Sequence, residues 1–153
     1  MRGLFVTLLL LGLPISALAV DAITGRVIKV LPLLLDQQGR DAPSPSLFDR
    51  DAYQVYLRQH TNEISALRID VLWKAVNARD AKLNLRVEFR GAGLGGLPCQ
   101  VTVEKAVAAG SHRRWTSLAL ADQDYKKFGG LVAWRVTLWS EDRLLGEQKS
   151  FLW

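Results

Sequence analysis

The chain is poor in the residues that carry most protein chemistry. It holds a single cysteine, Cys99, so no internal disulfide can form and the fold must rest on its core. As a small hydrophobe, Cys99 is read as a core residue. Only two histidines are present, His60 and His112, and neither lies in an HExxH spacing. A histidine metal centre or a hydrolytic triad would have to use one of them, and spacing places no partner for either. Arg113 and Arg114 follow His112 and disfavour a bound cation there. Twelve glycines and five prolines in 153 residues are too few for a collagenous or disordered chain. At this length a large multidomain enzyme is excluded, and one domain is expected.

Long apolar runs are missing too, apart from the one at the amino end. Arg2 precedes Leu4–Leu13, broken only by Thr7 and Gly12, then Pro14, Ser16 and Ala17-Leu18-Ala19. A basic start, a short apolar stretch and small residues at −3 and −1 predict a secretory signal, residues 1–19, cut after Ala19. The run is short for a retained anchor, which is the alternative. No cysteine adjoins the cut, so no lipid attachment is expected. Removing 19 residues from 153 leaves 134, and losing Arg2 takes the net charge from +5 to +4. On an exported chain, periplasmic or extracellular, that excess points to anionic lipid, lipopolysaccharide or acidic glycan and not to nucleic acid. No later segment is apolar enough for a helical span, so no transmembrane span remains after signal removal.

What the mature part, residues 20–153, does have is alternation. Val27–Leu35 reads as an edge strand bent at Pro32. Gln37–Ser46 is a loop. Ser46 is a fit N-cap, Asp49 and Asp51 suit a helix start, and Phe48, Ala52, Val55 and Tyr56 form a stripe at helical spacing on a helix reaching about His60, its C-terminal cap. The period then returns to two. Leu67, Ile69, Val71 and Trp73 oppose Arg68, Asp70 and Lys74, and Leu83, Leu85, Val87 and Phe89 oppose Asn84, Arg86, Glu88 and Arg90. Cys99, Val101 and Val103 begin a third such strand and Trp115–Leu120 a fourth. Val132, Trp134, Val136 and Leu138 predict inward residues of a penultimate strand, and Ser140–Arg143 turns into a last strand, Leu144–Trp153.

Seven or so short strands predict a mainly β domain, an antiparallel sandwich with one helix after the first strand. The pattern resembles an immunoglobulin or fibronectin-III-like sandwich. Trp73 matches a core tryptophan on an early strand, and Tyr125 in Asp122-Gln123-Asp124-Tyr125 is similar to a tyrosine corner. The cysteine pair of antibody domains is missing. Such a fold implies no default activity.

Few motifs bear on chemistry. Gly91-Ala92-Gly93-Leu94-Gly95-Gly96 matches GxGxxG, but a strand-like segment follows where a dinucleotide site needs a helix, so it is read as a strand connection. The carboxylate pairs Asp49/Asp51 and Asp122/Asp124 lack the rest of a calcium loop and are read as a helix start and a polar turn. No catalytic residue, cofactor or metal is expected. A terminal aromatic resembles the last strand of outer-membrane barrels, but Lys149 and Glu147 would then face lipid.

The expectation is therefore an exported, non-enzymatic domain of the bacterial envelope that recognises an envelope protein or an anionic surface. Candidate contact residues are Tyr53 and Tyr56 on the helix, Arg113, Arg114 and Trp115, Lys126 and Lys127, and Trp139 near the final turn. The two basic pairs would form one patch if their loops share an end of the sandwich. The alternatives are a small envelope hydrolase, built around His60 or His112, and a carrier of apolar ligands in a β cavity.

Overall fold

A computed structural model of the protein describes residues 22–110 and 112–153. The expected leader, its cut after Ala19 and the anchor alternative lie outside the described residues. The elements run β1 (Thr24–Asp36), α1 (Leu47–Gln59), β2 (Ile64–Val76), β3 (Leu83–Ala92), β4 (Pro98–Val107), β5 (Arg114–Ala121), α2 (Asp122–Phe128), β6 (Gly130–Ser140) and β7 (Arg143–Lys149). Single 3-10 turns occupy Thr61–Glu63 and Leu94–Gly96.

The seven strands form two antiparallel sheets, one ordered β1-β2-β5 and the other β4-β3-β6-β7. Their inner faces share one core. Leu67, Ile69, Val71 and Trp73 of β2 and Leu118 and Leu120 of β5 meet Leu85, Val87 and Phe89 of β3 and Val136 and Leu138 of β6. The two strands with the cleanest alternation, β2 and β3, are interior strands with neighbours on both edges. The pleat fixes their register, since a slip of one residue would turn every apolar side chain to water. Trp73 is 1% exposed, and its indole N–H donates to Thr116 Oγ1 at 2.9 Å, the partner a buried indole requires.

The expected edge position of β1 is correct, because it pairs only with β2. The bend lies elsewhere than Pro32. Register shifts fall between Val27 and Lys29 and between Leu35 and Asp36, while Pro32 stays in register opposite Ile69. The first half of β1 approaches β7. A Cβ on Gly25 would lie 2.8 Å from Leu145 Cβ, and one on Gly146 would lie 2.9 Å from Arg26 Cα. Glycine at both places lets the two sheet edges close together. The second half of β1 is covered by α1, where Leu57 is buried, as are Leu33 of β1 and Ile64 and Ala66 of β2.

The helical stripe of α1, whose direction its spacing leaves open, faces solvent. Phe48 is 81% and Val55 51% exposed, Ala52 and Tyr56 are exposed, and the residues turned inward are Gln54 and Leu57. The 122–128 segment is a helix, not a turn. Acidic Asp122 and Asp124 open it, Lys126 and Lys127 close it, and Gly129 at φ 72 terminates it. Tyr125 therefore sits inside α2 and not at a strand corner. In β6 a register shift opposite Arg90/Gly91 sets Leu131 against the core in place of Val132, which is exposed, while Trp134, Val136 and Leu138 face inward as expected. Finally, β7 ends at Lys149 and Ser150–Trp153 turns away from the sheet, so the terminal tryptophan is not the end of a strand.

Candidate functional site

Ser46 begins α1 as expected, with its side chain accepting from Asp49 N at 3.4 Å. Three aromatic rings run along the helix. Tyr53 stacks on Tyr56 with centroids 5.8 Å apart, and Tyr56 stacks on His60 at 4.0 Å. Tyr56 donates its hydroxyl to Glu63 Oε1 at 2.7 Å, and that bond, with burial second, pushes the phenol pKa up. His60 Nδ1 lies 2.9 Å from the Tyr56 carbonyl oxygen, and its backbone N–H donates to Tyr56 and Leu57, so it closes the helix as expected.

Tyr53 faces inward and is structural. Its hydroxyl donates to Asp36 Oδ2 at 2.9 Å. Asp36 is 2% exposed and also accepts from Gln38 N, Arg40 N and Arg40 Nε at 2.8 to 2.9 Å. Burial, the largest influence on this carboxyl, pushes its pKa up. The bonds from Arg40, Tyr53 and Gln38 together outweigh burial and hold it below the usual carboxylate value. The same bond pushes the Tyr53 phenol up. This hub fixes the turn after β1 and the start of the path to α1. What remains free on the helix is the outward strip of Phe48, Ala52, Val55 and Tyr56.

The two basic pairs do not meet. Arg113 and Arg114 stand at the start of β5, and Lys126 and Lys127 follow its end, on α2. Seven steps along a strand separate the ends by about 23 Å. All four are exposed. Arg114 is tied down, donating to the Ala108 carbonyl at 3.3 Å, whereas no salt bridge holds Arg113, Lys126 or Lys127 among the described residues. Trp115 is 52% exposed on the outer face of the first sheet, beside Leu72.

Trp139 lies on the outer face of the second sheet, but it is half-buried. Its N–H donates to Thr137 Oγ1 at 2.8 Å and the Arg86 guanidinium sits 5.3 Å from its ring. Further along that face, Trp153 packs under Arg90 at 3.8 Å and Arg135 at 4.9 Å. Arg135 is held by Glu88 through bonds of 2.6 and 3.0 Å. This face is a ladder of arginine and tryptophan, in which Arg86 is paired with Glu104 and Arg135 with Glu88. The candidate residues thus divide among four separate surfaces.

Among the described residues no group of three or more His, Cys, Asp or Glu is placed to hold a metal ion. His112 is exposed beside Arg113. Cys99 is half-buried, and its Sγ lies 3.1 Å from the Phe128 carbonyl. A strand, β4, follows the glycine-rich loop, so no helix end is available there for a pyrophosphate. No helix among the described residues is long and apolar enough to cross a membrane.

Sequence reasoning missed two features. It did not place the Phe48 strip on the surface, because helical period shows that a stripe exists but not which way it faces. It also did not see Arg26 beside Lys74, since that pairing depends on the register between β1 and β2. Compared with known proteins, the chain matches no family model, and no curated protein or solved structure is significantly similar to it.

Proposed function

We propose that the chain is an exported, non-catalytic recognition domain of the bacterial cell envelope, which binds an envelope protein by inserting α1 into an apolar groove. The observation that carries this reading is the reversal of α1. Gln54 and Leu57 face the sandwich, while Phe48, Ala52 and Val55, spaced i, i+4 and i+7, face solvent. A helix that only shielded the sheet edge would carry no apolar stripe on its outer side. Apolar anchors at this spacing are the signature of helix-in-groove recognition. Exposed Asp51 near the amino end and Arg58 near the carboxyl end define the partner's rim, a cation at one end of the groove and a carboxylate at the other.

The strand order supports an immunoglobulin or fibronectin-III-like reading. First, second and fifth strands oppose third, fourth, sixth and seventh, and a buried tryptophan lies on β2. The leader read from the sequence supports export. Side chains of Trp73, Phe89 and Phe128 fill the space between the sheets, which gives the apolar-carrier alternative no support. The hydrolase alternative finds His112 in no salt bridge among the described residues and His60 engaged with Tyr56.

A photo-crosslinking residue in place of Val55 tests the reading in cells. The expected result is one envelope protein joined to the chain, whose purified form binds about tenfold or more weakly to Phe48→Ser. The doubly substituted Phe48→Ser/Val55→Ser chain should melt within about 1 °C of the parent, since neither side chain supports the fold. A large loss of stability would return the strip to a packing role, and crosslinks unaffected by Phe48→Ser would overturn the recognition reading.

A further inference from the structure

The outer face of the first sheet has two unlike halves. The half around Leu33 and Ala66 is covered by α1 and its leading loop, with Asp41 reaching Arg68 of β2 at 3.4 Å. The other half is bare, and it gathers cations. Arg26 of β1 stands directly opposite Lys74 of β2. In the next row Lys29 stands opposite Leu72, and Leu72 is opposite Trp115 of β5. Arg113 enters at the same end, one residue before Arg114, whose partner is Trp73.

Two features of this half are unfavourable for an isolated domain. Like charges directly opposite on neighbouring strands destabilise the sheet. No salt bridge relieves Arg26, Lys29, Lys74 or Arg113 among the described residues. The nearby carboxylate of Asp70 is already taken by Arg68 at 3.0 Å and Ser117 at 2.6 Å. Asp80, in the loop after β2, is exposed and forms no salt bridge among the described residues. The second feature is the register shift between Val27 and Lys29. In a regular strand, residues three apart point to opposite faces. The extra residue, Ile28, turns Lys29 to the same side as Arg26, which is how a bulge re-aims a side chain. Amid these cations lie apolar groups open to water, Trp115 and, at the strand end, Val76.

We propose that this half-face docks on a membrane surface of anionic phospholipid, with the cations on the headgroup phosphates and Trp115 in the interfacial layer. The charge is complementary to such a surface. The apolar centre discriminates against a glycan, which supplies charge without an apolar phase, whereas an indole among lysines suits the boundary between headgroups and acyl chains. A cleft of about 660 Å³, lined in part by Lys74, Asn77, Arg79 and Gly110, opens at the same end and offers room for a headgroup. Eight residues of β1, about 26 Å, separate Arg26 from Leu34 beneath α1. Docking here therefore leaves the helix strip free, and the inference stands independently of what α1 binds.

Co-sedimentation with vesicles tests it, using phosphatidylcholine alone and phosphatidylcholine with about a quarter phosphatidylglycerol. The chain should partition at least about tenfold better into the anionic vesicles, and each cation removed from the face should cost about fivefold. Lys29→Glu and the pair Arg26→Glu/Lys74→Glu should lose that preference, while Lys126→Glu/Lys127→Glu, at the far end of β5, should keep it. Brominated acyl chains should quench part of the tryptophan emission, and that part should vanish in Trp115→Phe. Equal binding to both vesicle types would overturn the proposal. So would equal losses in the Lys126/Lys127 variant, which would mean that net charge alone governs binding.

Discussion

The side-chain amide of Gln54 pairs with the backbone of Leu34 as a neighbouring strand would. Leu34 N donates to Gln54 Oε1 at 2.7 Å, and Gln54 Nε2 donates to the Leu34 carbonyl at 2.8 Å and to the Asp41 carbonyl at 3.0 Å. One glutamine thereby closes the open edge of β1, a position where an unpaired strand invites association. Gln54→Ala should cost about 2 kcal/mol in denaturant unfolding, because three backbone groups lose their partner. It should also raise the tendency to associate at high concentration, read by light scattering. Gln54→Glu should be no better at neutral pH, since a carboxylate can accept from Leu34 N but cannot donate to either carbonyl. Part of the loss should return as the new carboxyl protonates.

Asp36 gives the domain an acid-sensitive point. Its pKa is lowered in the folded chain, because hydrogen bonds from Arg40, Tyr53 and Gln38 outweigh burial. A group with a depressed folded pKa stabilises the fold above its unfolded value, and that contribution disappears as pH falls through the folded value. Stability should therefore decline below about pH 4, where an ordinary aspartate begins to protonate. Asp36→Asn should flatten that acid limb and lower stability at neutral pH by about 1–3 kcal/mol. Unfolding followed across pH in both chains checks the sign. An unchanged acid limb would mean that other carboxylates govern it.

How far the sequence could be read follows from where its information lies. Period two in Leu67–Trp73 and Leu83–Phe89 specified two half-buried strands, because each packs one face on the core; their interior place in the sheets depends on pairing, which alternation does not carry. Period 3.6 located α1 but not its orientation. The inward partner of the helix is a strand edge, which needs hydrogen bonds, and so a glutamine fills the position that an apolar residue usually takes. The segment 122–128 was read as a turn from Asp122 and Asp124, although Gly129 after Lys126-Lys127 is a helix-stop signal. The contact surfaces were the least legible part. Arg113 and Lys126 are close in sequence but sit at opposite ends of one strand. Arg26 and Lys74 are far apart in sequence, and only the β1–β2 register makes them neighbours.

Trp153 lies beyond the last strand yet is held at two points, by Arg90 and Arg135. Trp153→Ala should cost about 1 kcal/mol through loss of these contacts. Arg135→Lys should be nearly as costly, because an ammonium keeps the charge but loses the two-point bond to Glu88 and the guanidinium contact with the indole. Unfolding of the two single variants and the double variant provides the check. A double-variant loss smaller than the sum of the single losses would show the coupling expected of shared contacts. Additive losses would show that Trp153 is held by other neighbours.

The facing cations Arg26 and Lys74 allow stability and surface binding to be separated. If they are a repulsive cross-strand pair, Lys74→Glu converts repulsion into attraction and should raise the melting temperature by about 2–3 °C. Salt screens charges over about 10 Å at 0.1 M. Added salt should therefore stabilise the parent chain and have less effect, or the opposite one, on Lys74→Glu. The same substitution should weaken partitioning to anionic vesicles. A more stable protein that binds less well is the pattern expected when a surface is kept for a partner at the expense of the isolated fold. If Lys74→Glu lowers the melting temperature, the pair is relieved within the domain by other groups, and its argument for an anionic partner fails with it.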